Sequence, residues 1–368
     1  MRFFVPTEIY VENNCVKNHA QNLLAIGKCA LIVTGQHSAA ANGSLNDVTN
    51  VLNTGDIPYL IFSEVEENPS TQTIQKGALA AREFNADFVI GIGGGSAIDA
   101  AKAIALLMAN PEIEADDLHK VPSRPLKHVP VVAVPTTCGT GSEATPVAII
   151  TNHKIKLKKS IPHVIFPALA LVDGKYLASA KKQLIVNTAV DALSHMVESI
   201  LNIHSNMLNR MCPEYGLKLW GECKEALLSD DDIDESLYEK LMLTSTVAGM
   251  SIAQTSTSVP HGMSYDLTLH LGVPHGPAVG YFLAAYIEVC AKFVPDDVHK
   301  ILSLLGLQNT AEFSAMIRDL IGTCTVTHEM KDKFAATMKT NRSKLDLVPG
   351  KITPEDIDFI YEKSLIAG

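Results

Sequence analysis

Two hydrophobic rhythms divide this chain. Up to about residue 178, short unbroken apolar runs alternate with longer stretches of helical spacing; beyond it the short runs fade and a 3.6-residue period takes over. The runs are Cys29–Gly35, Pro58–Ser63, Asp87–Ile92, His128–Pro135, Ala148–Thr151 and Pro167–Asp173. They are rich in Val, Ile and Leu, and two of them end in glycine or proline, at Gly35 and Pro135, as buried strands of a parallel sheet do. Between them, Asn42–Leu52, Ser70–Phe84 and a segment ending near Met108 carry helical spacing. This alternation predicts an α/β domain over residues 1–178, a parallel sheet covered by helices. Helices predicted at Leu184–Leu201, Met211–Leu228, Leu237–Ala253, Ala284–Phe293, Ala311–Ile321 and Pro354–Ile366 make residues 179–368 an all-α domain. A chain of 368 residues has the length for two such cores.

Composition narrows the class without naming a chemistry. Hydrophobic residues at 47% and charged residues at 19% describe a globular protein. The net charge of −10 excludes nucleic-acid or anionic-membrane binding driven by bulk charge. Seven cysteines, an odd number with no Cys-x-x-Cys pair, point to a reducing compartment. The N-terminal residues lack the apolar core of a signal peptide, and no apolar run is long enough to span a bilayer, so the expectation is a cytoplasmic protein.

Candidate chemistry begins where the third run enters Gly91-Ile-Gly-Gly-Gly-Ser96-Ala-Ile-Asp99-Ala-Ala-Lys102. A strand, a glycine loop and a helix N-terminus bind phosphate well: the glycines let the backbone approach, and first-turn N–H groups face the anion. The common dinucleotide fingerprint would need glycine where Ser96 stands. After the next run, Thr136-Thr-Cys-Gly-Thr140-Gly-Ser-Glu143 again places small residues and hydroxyls at a strand end, where open α/β sheets bind ligands. A basic run, Lys154 to Lys159, follows.

In the second half, Asp191 and His195 stand one helical turn apart on one face, and His261 and His275 follow downstream. Three imidazoles and a carboxylate suit Fe²⁺, Zn²⁺, Co²⁺ or Ni²⁺ better than Ca²⁺ or Mg²⁺. The donor set by itself does not choose among those four ions.

Gly93-Gly-Gly-Ser96-Ala-Ile-Asp99, Pro135-Thr-Thr-Cys-Gly-Thr-Gly-Ser-Glu143, Asp191-Ala-Leu-Ser-His195, Val259-Pro-His261 and Pro274-His275-Gly276 together resemble the iron-dependent (group III) alcohol dehydrogenase family, in the family's order. Thr34-Gly35, Asn42-Gly43-Ser44, Glu64–Ser70 and Ala253–Thr257 look like its 1,3-propanediol-dehydrogenase-like branch. The resemblance implies a dehydroquinate-synthase-like architecture, a dinucleotide domain followed by a helical metal domain, and reversible hydride transfer between NAD(P)(H) and a small primary alcohol, diol or aldehyde. It implies Asp191, His195, His261 and His275 as ligands of Fe²⁺, with Zn²⁺ as a substitute. Gly93, Gly94, Gly95 and Ser96 match its pyrophosphate loop, with Asp99 in the helix's first turn. Thr136, Thr137 and Thr140 match the loop beside the nucleotide, and Lys158, or else Lys159 or Lys156, matches a cofactor-contacting lysine. A homodimer is also implied. A cyclase of the dehydroquinate-synthase type, using nicotinamide and zinc without net redox change, is the alternative reading of the same architecture.

Two departures matter. Many family members carry a further histidine one turn after the third ligand, thought to assist proton transfer; here the position is Tyr265. Tyr265 or His270 is then the candidate proton-relay side chain. NAD-preferring relatives place an aspartate at the end of the first sheet strand, where this chain has Gly35. With Ser38, Asn42, Gly43 and Ser44 following, NADP(H) is favoured over NAD(H).

Overall fold

The computed structural model describes residues 1–368. In chain order its first strands are β1 (Glu8–Val11), β2 (Ala30–Thr34), β3 (Tyr59–Phe62), β4 (Phe88–Gly93), β5 (Val131–Pro135), β6 (Ile149–Asn152), β7 (Leu157–Ser160) and β8 (Leu169–Val172). Six of them form one sheet in the order β1-β8-β5-β4-β2-β3, with every pair parallel. β6 and β7 form a separate antiparallel hairpin.

The inner strands β2, β4, β5 and β8 are buried along their whole length because helices cover both faces. The two-residue period of a strand sorts their side chains. Leu31, Val33, Val89 and Val131 pack with Thr71–Glu83 and Gly95–Ala109 on one face. Ala30, Ile32, Ile90, Val132 and Leu169 pack with helix Ser44–Thr54 and Tyr176 on the other.

β2 lies between β3 and β4, so the chain turns one way after β2 and then returns to its other side. That reversal creates a topological switch point at the carboxyl ends of β2 and β4, the place where open α/β sheets take their ligands. Gly35 and the Gly93–Ser96 loop stand at those two ends.

The remaining chain is mostly helical. Its principal helices are Lys182–Ile200, Met211–Leu228, Val259–Leu271, His275–Cys290, Pro295–Leu304, Thr310–Ile321, His328–Lys339 and Pro354–Ser364. Two three-residue strands, β9 (Cys324–Val326) and β10 (Leu365–Ala367), pair in parallel there, a small departure from the all-helical expectation. No helix is long and apolar enough to cross a membrane.

Chain contacts divide into two compact units rather than at one cut. Val5–Ala180 and Glu235–Gly249 make the α/β unit; Met1–Phe4, Lys181–Asp234 and Met250–Gly368 make the helical one. The first part of helix Tyr238–Thr255 joins the α/β unit through close backbone packing, since a Cβ at Gly249 would lie 2.2 Å from the Gly141 carbonyl oxygen.

Other differences from the sequence reading have local causes. β1 and β7 are four residues each, half-exposed, and lack the apolar run that marks the inner strands. Helices Val259–Leu271 and His275–Cys290 were expected only from Ala284 on, because Pro260, Gly262, Gly272, Pro274, Gly276 and Pro277 interrupt the pattern. Pro260 sits in the first turn of one helix and Pro274 is the N-cap of the other, positions where a missing N–H costs nothing.

Candidate active site

In the helical unit, Asp191 and His195 lie on helix Lys182–Ile200, His261 in the first turn of Val259–Leu271, and His275 at the start of the next helix. The Gly272 αL cap ends one helix and Pro274 opens the other, so three residues reverse the chain and return His275 to the first two ligands. Gly276 permits the close approach: a Cβ there would fall 1.8 Å from the Asn187 carbonyl oxygen and 3.5 Å from Asp191 Cβ.

The four side chains converge on one atom. Asp191 Oδ1 stands 3.7 Å from His195 Nε2, 3.6 Å from His261 Nε2 and 3.6 Å from His275 Nε2. The donor atoms of Asp191, His261 and His275 all lie within 4.8 Å of one another, and His195 joins through Asp191. The His195 and His261 rings are stacked with centroids 4.7 Å apart.

These separations are too long for hydrogen bonds. They are, however, the edges of a polyhedron whose centre lies about 2.2 Å from each corner if it is tetrahedral, close to metal–nitrogen and metal–carboxylate distances. Asp191 Oδ1 and His261 Nε2 are buried and have no hydrogen-bond partner. Orphaned buried polar atoms cost about 1–3 kcal/mol each, so a shared cation between them is the arrangement that makes chemical sense. The residues present therefore fit a divalent metal ion. Asp191, His195 and His261 side chains are 3–5% exposed and His275 is 31% exposed, so the cluster is open on the His275 side.

The electrostatics agree with a cation site. Burial opposes charge on Asp191, but the three imidazoles hold its carboxyl far below the usual range. Burial lowers His195 to about 4. Burial acts in the same sense on His261, yet the carboxylates of Glu198 and Asp191 on either side raise it to about 9.

Tyr265, one turn beyond His261, is raised to about 12 by burial first and then by the charges of Glu198 and Asp191, which places it in the field of the cluster. His270 is not brought there. It follows His261 by nine residues, two and a half turns, and its ring stacks on Phe334 with centroids 5.6 Å apart. Glu198 was not anticipated from the sequence. It is fully buried against His261, and its spacing of seven residues from Asp191 on one helix was the available signal.

In the α/β unit, Gly93 has φ 147, which only glycine adopts freely, and it delivers β4 into the helix beginning at Gly95. Thr136 N–H donates to the Gly93 carbonyl at 2.9 Å. A Cβ on Gly94 would touch Thr137 at 3.1 Å, and one on Gly95 would overlap Thr140 at 2.6 Å, so the glycine and threonine loops pack directly on each other. The Ser96 hydroxyl oxygen accepts from Asn68 N–H at 3.2 Å.

Asp99 turns inward. Its oxygens accept from Ser142 Oγ at 2.6 Å and Ile149 N–H at 2.8 Å, which ties the helix to the following loop. Lys102 is fully buried and donates to Ser142 Oγ, the Thr145 carbonyl and the Val147 carbonyl. Burial lowers its ammonium to about 8 against the pull of Asp99 and Glu143. Lys158 is half-buried and acts electrostatically on Asp99, whereas Lys156 and Lys159 are exposed.

At the β2 end, Asn42 Oδ1 accepts from Ser44 N–H at 3.0 Å and Ser44 Oγ at 2.6 Å, with Gly43 between them at φ 83. Those side chains close their own turn. Ser38 is exposed, and a Cβ on Gly35 would meet nothing nearer than the Val65 carbonyl at 3.5 Å.

A dinucleotide-type sheet with a glycine loop, and a helical unit with an Asp-His₃ cluster, define a metal-dependent nicotinamide oxidoreductase class. The profile of the "Iron-containing alcohol dehydrogenase" family matches residues 6–174, and that of the "Fe-containing alcohol dehydrogenase family, C-terminal" matches residues 185–343. The chain belongs to the iron-containing alcohol dehydrogenase family and is an alcohol dehydrogenase of the iron type.

It is 30% identical to an NADPH-dependent butanol dehydrogenase of Clostridium saccharobutylicum, over 85% of this chain and 80% of that one. It is 31% identical to aldehyde-alcohol dehydrogenase 2 of Entamoeba histolytica over 78% of this chain, and spans only 34% of that longer protein. The solved structure of an iron-containing alcohol dehydrogenase from Thermotoga maritima superposes with a TM-score of 0.90, at 33% identity and 99% coverage of both chains. Family membership leaves the cyclase reading without support.

Proposed function

We propose that this chain transfers hydride reversibly between a nicotinamide dinucleotide, NADP(H) ahead of NAD(H), and a small primary alcohol, diol or aldehyde, using a divalent ion held by Asp191, His195, His261 and His275. The observation that carries this is the convergence of three imidazole Nε2 atoms, 3.6–3.7 Å away, on one buried carboxylate oxygen that has no other partner. Iron is the first choice of ion and zinc the second; when bound, it supplies Lewis acidity that stabilises negative charge on the substrate oxygen.

The residues of the chain do the rest. One carboxylate and three neutral imidazoles cancel only half the charge of a divalent ion, which keeps the site electrophilic. Gly94, Gly95 and Ser96 offer first-turn N–H groups to a pyrophosphate, with Thr137 and Thr140 fixing the loop's shape. Gly93, Thr136 and Lys158 complete that side, and Asp99 acts by holding the loop from beneath. Tyr265, raised to about 12, keeps its proton at neutral pH and serves as a hydrogen-bond donor rather than as a base.

NADP(H) is favoured because glycine rather than aspartate follows β2, and Gly35 and the exposed Ser38 leave room for a 2′-phosphate. The Clostridium relative is named for NADPH and butanol, which supports the same direction here. The test is kcat/KM for short aldehydes with NADPH and with NADH after loading Fe²⁺ or Zn²⁺. Preference for NADPH is expected, and Gly35→Asp, whose side chain the open space admits, should move it about tenfold or more toward NADH. A native preference for NADH would overturn the cofactor assignment; full turnover in metal-stripped protein would overturn the metal one. We further infer a cytoplasmic homodimer, to be checked by sedimentation and by localisation in cells.

A further inference from the structure

Glu198 lies outside the ligand set, yet both of its oxygens are hydrogen-bonded in a fully buried setting. It follows Asp191 by seven residues and His195 by three on the same helix, so all three side chains share a face. Its Oε2 accepts from His261 Nδ1–H. Its Oε1 accepts from Ser258 N–H at 2.7 Å and from Ser258 Oγ at 3.1 Å. The Ser258 hydroxyl also lies 3.1 Å from the Tyr286 hydroxyl, which donates to the Leu201 carbonyl at 3.0 Å. Next to Ser258, the Thr257 carbonyl and hydroxyl accept from Lys344 Nζ at 2.8 and 2.7 Å. Glu198, Ser258 and Tyr286 are all essentially without exposure.

A carboxylate on Nδ1 has two consequences for His261. It keeps the ring proton on Nδ1, so the lone pair stands on Nε2, the buried atom that faces Asp191 and has no hydrogen-bond partner. It also fixes the ring's rotation, because Glu198 is itself held at its other oxygen by the N–H and hydroxyl of Ser258. Charge adds a third reason. A divalent ion with Asp191 and three neutral imidazoles would leave one uncompensated positive charge in a buried site, and Glu198 brings the total to zero.

We propose that Glu198 is the positioning residue of the centre: it makes His261 a ligand and tightens the site for divalent ions, while touching neither substrate nor nucleotide. This rests on the metal reading given above. Outer partners of metal-ligating histidines typically contribute 10–100-fold in affinity.

The experiment titrates metal-free full-length protein with Co²⁺ in competition with a chromophoric chelator, following the visible absorption of the bound ion. Glu198→Gln and Glu198→Ala should bind Co²⁺ roughly 10–100-fold more weakly, with altered absorption bands, and Ala should be the worse of the two. Ser258→Ala, which keeps the carboxylate and its bond from the Ser258 N–H but removes the hydroxyl bond, should weaken binding about fivefold, the worth of one buried hydrogen bond. A folded Glu198→Gln protein with the parent's affinity and absorption bands would overturn the proposal. If the Glu198 variants fail to fold, unchanged affinity and bands in Ser258→Ala overturn it instead. Absence of Co²⁺ binding by the parent protein would be seen before any variant is made, and would remove the metal reading itself.

Discussion

Around Gly93–Ser96 the protein presents backbone, whereas around Asp191 it presents side chains. The first region needs small residues and a positive φ so that N–H groups are exposed and threonines can pack against the loop. It is made of two short loops, Gly93–Ser96 and Thr136–Thr140, that follow the adjacent strands β4 and β5. The second gathers four side chains from three helices, spread over residues 191–275, and surrounds them with a buried carboxylate, a serine and a tyrosine. Ligand recognition by backbone tolerates change in side chains but not added volume; coordination by side chains tolerates neither the loss of a donor nor the loss of the group that orients it.

The largest effect should come from deleting a donor. His261→Ala is expected to lose metal and activity together, by at least the roughly 10²–10³-fold that removing one oxyanion-stabilising group costs, while nucleotide binding to the α/β unit stays near the parent's. Metal content by elemental analysis, with nucleotide binding measured alongside, checks both halves.

Below that ranks the buried support of the glycine loop. Lys102→Met leaves the buried carboxylates of Asp99 and Glu143 without their cation and should destabilise the α/β unit by about 3–5 kcal/mol. Denaturant unfolding would measure it, and a neutral result would mean that the network is dispensable.

Added volume is the third test. Gly95→Ala places a Cβ against Thr140 at 2.6 Å, backed by a β-branched side chain with little freedom to move. Nucleotide KM should rise about tenfold with metal content unchanged. A double variant with Thr140→Ser, which removes the overlapping methyl, should recover much of it.

The smallest effect is one of pH on the metal-free protein. His195, lowered to about 4, costs stability when the solution is acidic enough to protonate it in the unfolded chain, so its penalty disappears as pH rises to about 6.5. His261, raised to about 9, contributes stability that is full below about 6.5 and is lost as pH climbs through 9. The contribution of this cluster should therefore peak near pH 6.5 without metal. Binding of a divalent ion should release the His261 proton below pH 9 and flatten the alkaline side, as thermal melts across pH would show.

Helix Lys182–Ile200 shows how far sequence reasoning reached. Its bounds came within two residues of Leu184–Leu201, and the spacing put Asp191 and His195 on one face, while their reading as ligands needed the other motifs. The partners on the next two helices were legible as residues but not as geometry, because prolines and glycines at their starts hide the helical period. Asn42 and Ser44, candidate cofactor contacts in the sequence, are bonded to each other through Asn42 Oδ1. Asp99, grouped with the glycine loop in the sequence, is bonded to Ser142 and Ile149.

By itself the sequence determined which residue types stand at which strand ends and helix turns, since the two- and 3.6-residue periods are local properties of the backbone. Only the tertiary structure decided that three imidazoles meet one carboxylate oxygen, that Glu198 bonds to His261, and that His270 faces away. Those depend on how helices pack, which is set by volumes and close approaches such as Gly276 against Asn187 that no local period encodes.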